Sequence, residues 1–174
     1  MTHICPMQPP PFAPTMLNIR DGELAVRPIR PGDAEALAEM IRKADPRDVR
    51  ARFHAAIREV PRSWITRLTQ IDYSQEMALI ALIGEEIVCV ARLVCDPGCD
   101  TGEFALAVRS DQQRRGVGRG MMGLLIDYAR RRGMEAVWGQ IESDNERMMA
   151  LARDLGFHAQ GPPSFGEVRM SLAL

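Results

Sequence analysis

The sequence predicts an α/β fold with a mostly antiparallel sheet, and three observations predict it. Residues 77–83 and 87–94 are β-rich runs divided by Gly84-Glu85-Glu86, and a third run, residues 103–108, follows the turn at Pro97-Gly98. Short connections of this kind join antiparallel neighbours. Val117, Met121, Leu124, Leu125 and Tyr128 recur at helical spacing, as do Met148, Leu151, Ala152 and Leu155, so two helices offer apolar stripes to that sheet. Between the third run and the first of these helices lies Gln113-Arg114-Arg115-Gly116-Val117-Gly118, a glycine-rich strand-to-helix turn.

The remaining elements follow in chain order. Residues 1–15 are rich in proline (Pro6, Pro9, Pro10, Pro11, Pro14) and lack the basic start and continuous apolar core of a secretory signal. Residues 1–20 therefore read as a flexible tail, and residues 21–174 as one folded domain. Residues 24–29 form a strand, after which Pro31-Gly32-Asp33 turns the chain and Asp33 caps a helix with Leu37, Met40, Ile41 and Ala44 on its buried face. Asp45-Pro46 opens a short helix through Phe53, and Pro61 opens another through Leu68. In the run of residues 103–108, alternation puts Glu103, Ala105 and Ala107 on one face and Phe104, Leu106 and Val108 on the other. The helix from Val117 closes with Arg130-Arg131-Arg132 and Gly133, the arginines complementing the negative end of the helix dipole. Residues 136–141 are the next strand, Ser143 and Glu146 have capping-box spacing, and Gly156 ends the second helix. Phe157 onward returns as a strand, and residues 168–172 make the last one after a Gly161-Pro162-Pro163 loop.

Composition excludes several classes of function. A chain of 174 residues fits one domain, able to bury about 70% of its unfolded surface. Its net charge of -1 gives no reason to expect nucleic acid or an anionic membrane as a partner. No stretch of about 18 uninterrupted apolar residues occurs, so a membrane span is not expected and a cytoplasmic address is. Cys95 and Cys99 flank a Pro-Gly turn without a second Cys or His pair at ligand spacing, and with Cys5 and Cys89 they read as thiols of a reducing compartment, not as metal ligands.

The glycine-rich turn carries the chemistry. It leaves backbone N–H groups uncovered at a helix N-terminus, where a pyrophosphate accepts hydrogen bonds and meets the positive end of the helix dipole. A glycine pair there also serves as a bare tight connection, so its neighbours decide. A P-loop needs Lys followed by Ser or Thr after its last glycine, whereas Arg119 and Gly120 follow Gly118. A dinucleotide fingerprint fails because Met121 stands where its last glycine belongs. What remains is Gln-x-x-Gly-x-Gly, with Glu103 on the strand before it and Asn145 and Leu155-Gly156-Phe157 after it. This set resembles the GNAT superfamily of acyl-CoA-dependent N-acetyltransferases. The resemblance runs from about Val26 to the C-terminus. Within it, Val26-Arg27-Pro28-Ile29-Arg30-Pro31-Gly32-Asp33, Leu68-Thr69-Gln70-Ile71-Asp72-Tyr73 and Glu76-Met77-Ala78-Leu79 are similar to the acetyltransferase domain of bacterial Pat-type protein lysine acetyltransferases.

The resemblance implies a mixed, mostly antiparallel sheet flanked by helices and splayed between its fourth and fifth strands, residues 103–108 and 136–141. It implies acetyl-CoA as co-substrate and no metal. The pyrophosphate would take N–H groups across Arg114, Arg115, Gly116, Val117, Gly118 and Arg119, and Gln113 would also belong to the cofactor site. The pantetheine arm would pair with the main chain near Ala107 and Val108 and touch Asn145. Acyl transfer to an amine needs a base, because a lysine-like amine is almost wholly protonated at neutral pH. Glu103 matches the position of the Pat-type catalytic glutamate, and partial desolvation would strengthen it as a base. Ala107 would supply the backbone N–H for the oxyanion. One departure stands out. Many GNAT enzymes carry Leu-Tyr where this chain has Leu151-Ala152, so the phenol that protonates the leaving thiolate is missing. Tyr73 or a water is left to replace it, and a thiol of pKa about 8.5 also leaves without an acid.

The acceptor is the most open question. Related folds place its surface in residues 45–73, where Arg47, Arg50, Arg52, Arg58, Arg62 and Arg67 either meet an acidic acceptor or form a solvated face. A protein lysine is the expected acceptor, a small-molecule amine the first alternative, and a non-catalytic acyl-CoA-binding module the second.

Overall fold

The computed structural model describes residues 11–47 and 60–174. Eight strands form a single sheet: β1 (Thr15–Ile19), β2 (Gly22–Pro28), β3 (Glu76–Ile83), β4 (Glu86–Cys95), β5 (Thr101–Val108), β6 (Ala136–Glu142), β7 (His158–Ala159) and β8 (Glu167–Ala173). Their order is β1-β2-β3-β4-β5-β6-β8-β7. Among the described residues, four helices flank the sheet: α1 (Ala34–Lys43), α2 (Arg62–Thr69), α3 (Val117–Arg131) and α4 (Glu146–Asp154).

The two faces are buried by different helices. Leu79, Ala81, Ala91 and Leu93 join Met121, Met122 and Leu125 of α3 in the larger core, together with Phe104, Val137 and Phe157. Ala78, Ile80 and Val90 join Leu37 and Met40 of α1 and Ile65 of α2 in the smaller one. This double cover explains why β3 and β4 read as continuous apolar runs despite being antiparallel. Each large side chain so buried contributes about 1.5–3 kcal/mol relative to exposure.

Among the described residues, only β5 and β6 pair in parallel, joined by α3 as the crossover. They are the two strands the resemblance expected to splay; counting β1 makes them the fifth and sixth. Their pairing stops after Thr101↔Ala136, Gly102↔Val137 and Glu103↔Trp138.

Several local expectations are corrected. Residues 15–19, counted with the tail, form β1, whose Leu17 packs so closely on α3 that a Cβ on Gly120 would lie 2.5 Å from its Cδ1. Asp33 makes no cap bond to α1; its carboxylate instead accepts two Arg27 N–H groups at 2.8 and 2.7 Å and the Arg30 N–H at 2.7 Å. Asn145, not Ser143, caps α4, accepting the Met148 N–H at 3.1 Å. Phe157 is buried in the core just ahead of β7. Arg132, expected only to complement the helix dipole, is buried, and donates to the Tyr128 hydroxyl at 3.3 Å and to the Ser74 carbonyl. The helix expected through Phe53 lies mainly on residues outside the description. Within it, Asp45 Oδ1 accepts the Arg47 N–H at 2.8 Å. No described helix is long and apolar enough to cross a membrane.

Candidate active site at the split in the sheet

β5 loses its partner on one side after Glu103, so its backbone groups on that side are left open. Which residues own those groups follows from register. The Arg109 N–H donates to the Val88 carbonyl at 2.9 Å, and antiparallel pairs alternate along the ladder. Ala107, the Cα partner of Val90, therefore also turns its N–H and C=O to β4. The open groups belong to Leu106 and Val108. An oxyanion donor at Ala107 is thus corrected: its N–H is committed to β4.

The far end of β5 is pinned by charge. Arg109 is buried, and its guanidinium donates to Asp111 at 2.6 Å and to Glu86 at 2.7 Å, while Lys43 reaches the other Glu86 oxygen at 3.0 Å. The bond from Arg109 holds the Asp111 carboxyl down to about 2.

The split opens into a cleft of about 560 Å³ that runs through the sheet. On one side it is walled by Gln113, Arg114, Gly116, Val117, Gly118 and Arg119 of the turn, with Asn145, Met148 and Leu151 opposite. On the other it is lined by Leu37, Met40 and Ile41 of α1, Leu68 of α2, and Arg92, Glu103, Ala105 and Ala107 of the sheet. The structure therefore brings together the candidate base Glu103, Ala107 and every residue expected to bind the coenzyme except Arg115. That side chain points to the β1–β2 hairpin, donating to Gln112 and lying 3.6 Å from Asp21.

The turn is shaped to present N–H groups. Arg114 and Gly116 both have positive φ, 64° and 85°, and left-handed residues alternating with right-handed ones make a concave nest for an anion. No side chain caps α3, so its first N–H groups face the cleft uncapped. Gly118 has a separate reason to be glycine: a Cβ there would sit 3.3 Å from Leu106, 3.4 Å from Val108 and 3.5 Å from Leu151. Cations surround this cradle. Arg119 pairs with Asp154 at 2.9 Å, and Arg147 donates to Gln113 Oε1 at 2.7 Å. Gln113 also donates to the Val108 carbonyl at 3.2 Å, on the open edge of β5. These residues fit a pyrophosphate and an amide-bearing arm.

Glu103 stands exposed where the pairing ends. Beside it, Arg92 is only 4% exposed. It pairs with Glu76, donates to the Leu68 carbonyl at 2.6 Å, and leaves its buried Nε–H without a partner. Sequence reading missed Arg92, although a lone arginine in the apolar run of β4 was a visible signal. Tyr73 is no substitute acid, because it donates to the Ile29 carbonyl and lines no part of the cleft. Ala152 is 1% exposed in the larger core. Among the described residues, no group of three or more His, Cys, Asp or Glu side chains is placed to hold a metal ion.

Comparison with known proteins gives the same picture. The acetyltransferase (GNAT) family matches residues 38–157. A Pseudomonas aeruginosa acetyltransferase is 31% identical over 153 residues, covering 84% of this chain and 81% of its own. The acetyltransferase Pat of Mycolicibacterium smegmatis is 28% identical over 149 residues, 83% of this chain but only 44% of that protein. The crystal structure of the GNAT domain of S. lividans PAT superposes with a TM-score of 0.87 at 26% identity, covering 92% of this chain and 97% of that one.

Proposed function

The chain belongs to the acetyltransferase (GNAT) family and is an acetyl-CoA-dependent N-acetyltransferase, and on that basis we propose that its acceptor is a protein lysine, acetylated by direct attack in a ternary complex. The observation that carries this reading is the position of Glu103, exposed at the junction between the two halves of one continuous cleft. A base there meets an amine arriving from outside and a thioester arriving through the split.

In this mechanism Glu103 takes a proton from the lysine ammonium, directly or through one water, and so frees the lone pair. The nitrogen attacks the thioester carbon and negative charge develops on the acyl oxygen as the carbon–nitrogen bond forms; collapse of this intermediate breaks the carbon–sulfur bond, and the nitrogen releases its second proton to solvent. The N–H of Leu106 or Val108, already aimed into the split, donates to that oxygen without reorganising. The CoA thiolate leaves and takes a proton from water, since no phenol faces it. Upstream, the N–H groups of the turn and Arg119 hold the pyrophosphate, and the open edge of β5 with Asn145 holds the pantetheine arm. The compartment that goes with this reading is the cytoplasm, where acetyl-CoA meets protein lysines.

A small-molecule amine is the second reading. It is favoured by the apolar acceptor half, in which Leu37, Met40, Ile41 and Leu68 surround the buried Arg92. Purified protein offered acetyl-CoA with lysine-bearing proteins, and separately with a panel of amines, distinguishes the two by thiol release and by mass spectrometry of the proteins. Modified protein lysines support the proposal. Fast turnover of a small amine with unmodified proteins overturns it.

A further inference from the structure

A chain of two side-chain hydrogen bonds bridges the split in the sheet. Gln113 Nε2 donates to the Val108 carbonyl at 3.2 Å, and Arg147 Nη1 donates to Gln113 Oε1 at 2.7 Å. Gln113 belongs to the turn after β5, and Arg147 to the first turn of α4, which follows β6. All three residues line the cleft. The bridge therefore joins the open edge of β5 to the opposite wall, across the path from the glycine-rich turn to Glu103.

Both ends of the bridge are placed for another partner. The Val108 carbonyl is one of the open groups of β5, on the side where an amide-bearing arm would lie. Arg147 sits at the N-terminus of α4, where the helix dipole disfavours a cation. Arg119 has Asp154 for a partner, whereas Arg147 has no carboxylate partner among the described residues. An anion serves a guanidinium so placed better than the neutral amide oxygen it holds.

We propose that the Gln113–Arg147 bridge is a latch on the coenzyme half of the cleft, opened by the phosphates of CoA. Arg147 exchanges Gln113 Oε1 for pyrophosphate oxygens, Gln113 turns away, and an amide N–H of the pantetheine arm takes its place on the Val108 carbonyl. The inference rests on the reading that the turn holds the pyrophosphate and the open edge of β5 holds the arm. The two exchanges differ in what they gain. On Val108 one neutral amide bond replaces another, which is close to neutral in free energy. Arg147 passes from a neutral acceptor to an anionic one that a guanidinium meets with two parallel bonds. The phosphate end thus drives the opening, and the latch selects CoA thioesters over acyl donors that carry the same arm without phosphate.

The test is calorimetry on the full chain with two probes, CoA and pantetheine, which has the amides and the thiol but no phosphate. Arg147→Ala should weaken CoA about tenfold or more and leave pantetheine bound no more weakly than by wild type. Gln113→Ala, with no latch to open, should bind pantetheine about threefold or more tighter than wild type and CoA at least as tightly. Weaker CoA binding in Gln113→Ala, pantetheine bound there no tighter than by wild type, or wild-type CoA affinity in Arg147→Ala overturns the latch. Gly118→Glu separates that failure from a failure of the coenzyme site. Reduced CoA affinity in folded Gly118→Glu keeps the coenzyme in the split, so that any of those three results strikes the latch alone. Wild-type CoA affinity in folded Gly118→Glu removes the coenzyme from the split and the latch with it.

Discussion

The ring of Phe104 on β5 occupies the space above the backbone of Gly139 on β6: a Cβ on Gly139 would lie 2.5 Å from Phe104 Cε1 and 2.7 Å from Cζ. These two residues follow directly after the last paired residues, Glu103 and Trp138. A phenyl ring laid over a neighbouring strand, and braced edge-on by Phe157 at 5.1 Å, closes the core just where the sheet opens.

Gly139→Ala should therefore destabilise the protein by about 1–3 kcal/mol, because the ring must leave its place. Urea unfolding measures the loss. Combining the change with Phe104→Leu should cost less than the sum of the two single changes, since the clash and its cause are removed together. Simple additivity would separate Gly139 from the wedge.

The register argument has a direct readout in amide hydrogen exchange. The Ala107 N–H, bonded to β4, should be protected in the free protein, whereas those of Leu106 and Val108 exchange fast and become protected when CoA is added. Protection of Leu106 and Val108 before CoA is added, with Ala107 fast, would assign the open edge to the wrong residues.

The wall contacts of Gly118 predict how the CoA half fails. Gly118→Glu puts a long side chain between Leu106, Val108 and Leu151, and should weaken CoA binding about tenfold or more by calorimetry while the protein stays folded. An unchanged affinity in the folded variant would take the pyrophosphate away from this turn.

Asp111 gives a pH dependence. Its carboxyl, held at about 2 by Arg109, ionises below the unfolded value of about 3.9. A depressed pKa contributes stability that is present above the unfolded value and is lost as pH falls through the folded one. Asp111→Asn should thus unfold at lower urea than wild type at neutral pH. The two curves should converge as pH drops from about 4 to about 2. Asp111 faces solvent, so added salt should also narrow the gap. A gap that stays constant with pH would mean the ion pair contributes nothing.

Much of this was legible because it is periodic. The alternation of β5 and the helical spacing of α3 and α4 give faces from residue identity alone, and the glycine-rich turn and Glu103 are local in sequence. What was not legible needs a partner. Alternation says where the Ala107 side chain points but not which neighbour takes its N–H, so the oxyanion donor was misassigned. β1 follows a proline-rich segment and has little pattern of its own; its trace in the sequence is Gly120, whose lack of a side chain makes sense only once Leu17 is beside it. Trp138 meets Glu103, Asp96 and Arg169 only through the sheet. Arg50, Arg52 and Arg58, expected near the acceptor, lie outside the described residues.

The most direct measurement is Glu103→Gln, assayed for acetyl transfer to a lysine peptide across pH with CoA affinity measured in parallel. The amide keeps the shape of the side chain and loses its basicity. CoA affinity should match wild type, and the transfer rate at neutral pH should fall about 100-fold or more. Raising the pH should restore part of it, because the acceptor then deprotonates in solution. A wild-type rate at neutral pH would contradict the account and turn attention to Glu142, the other carboxylate on the acceptor side of the cleft.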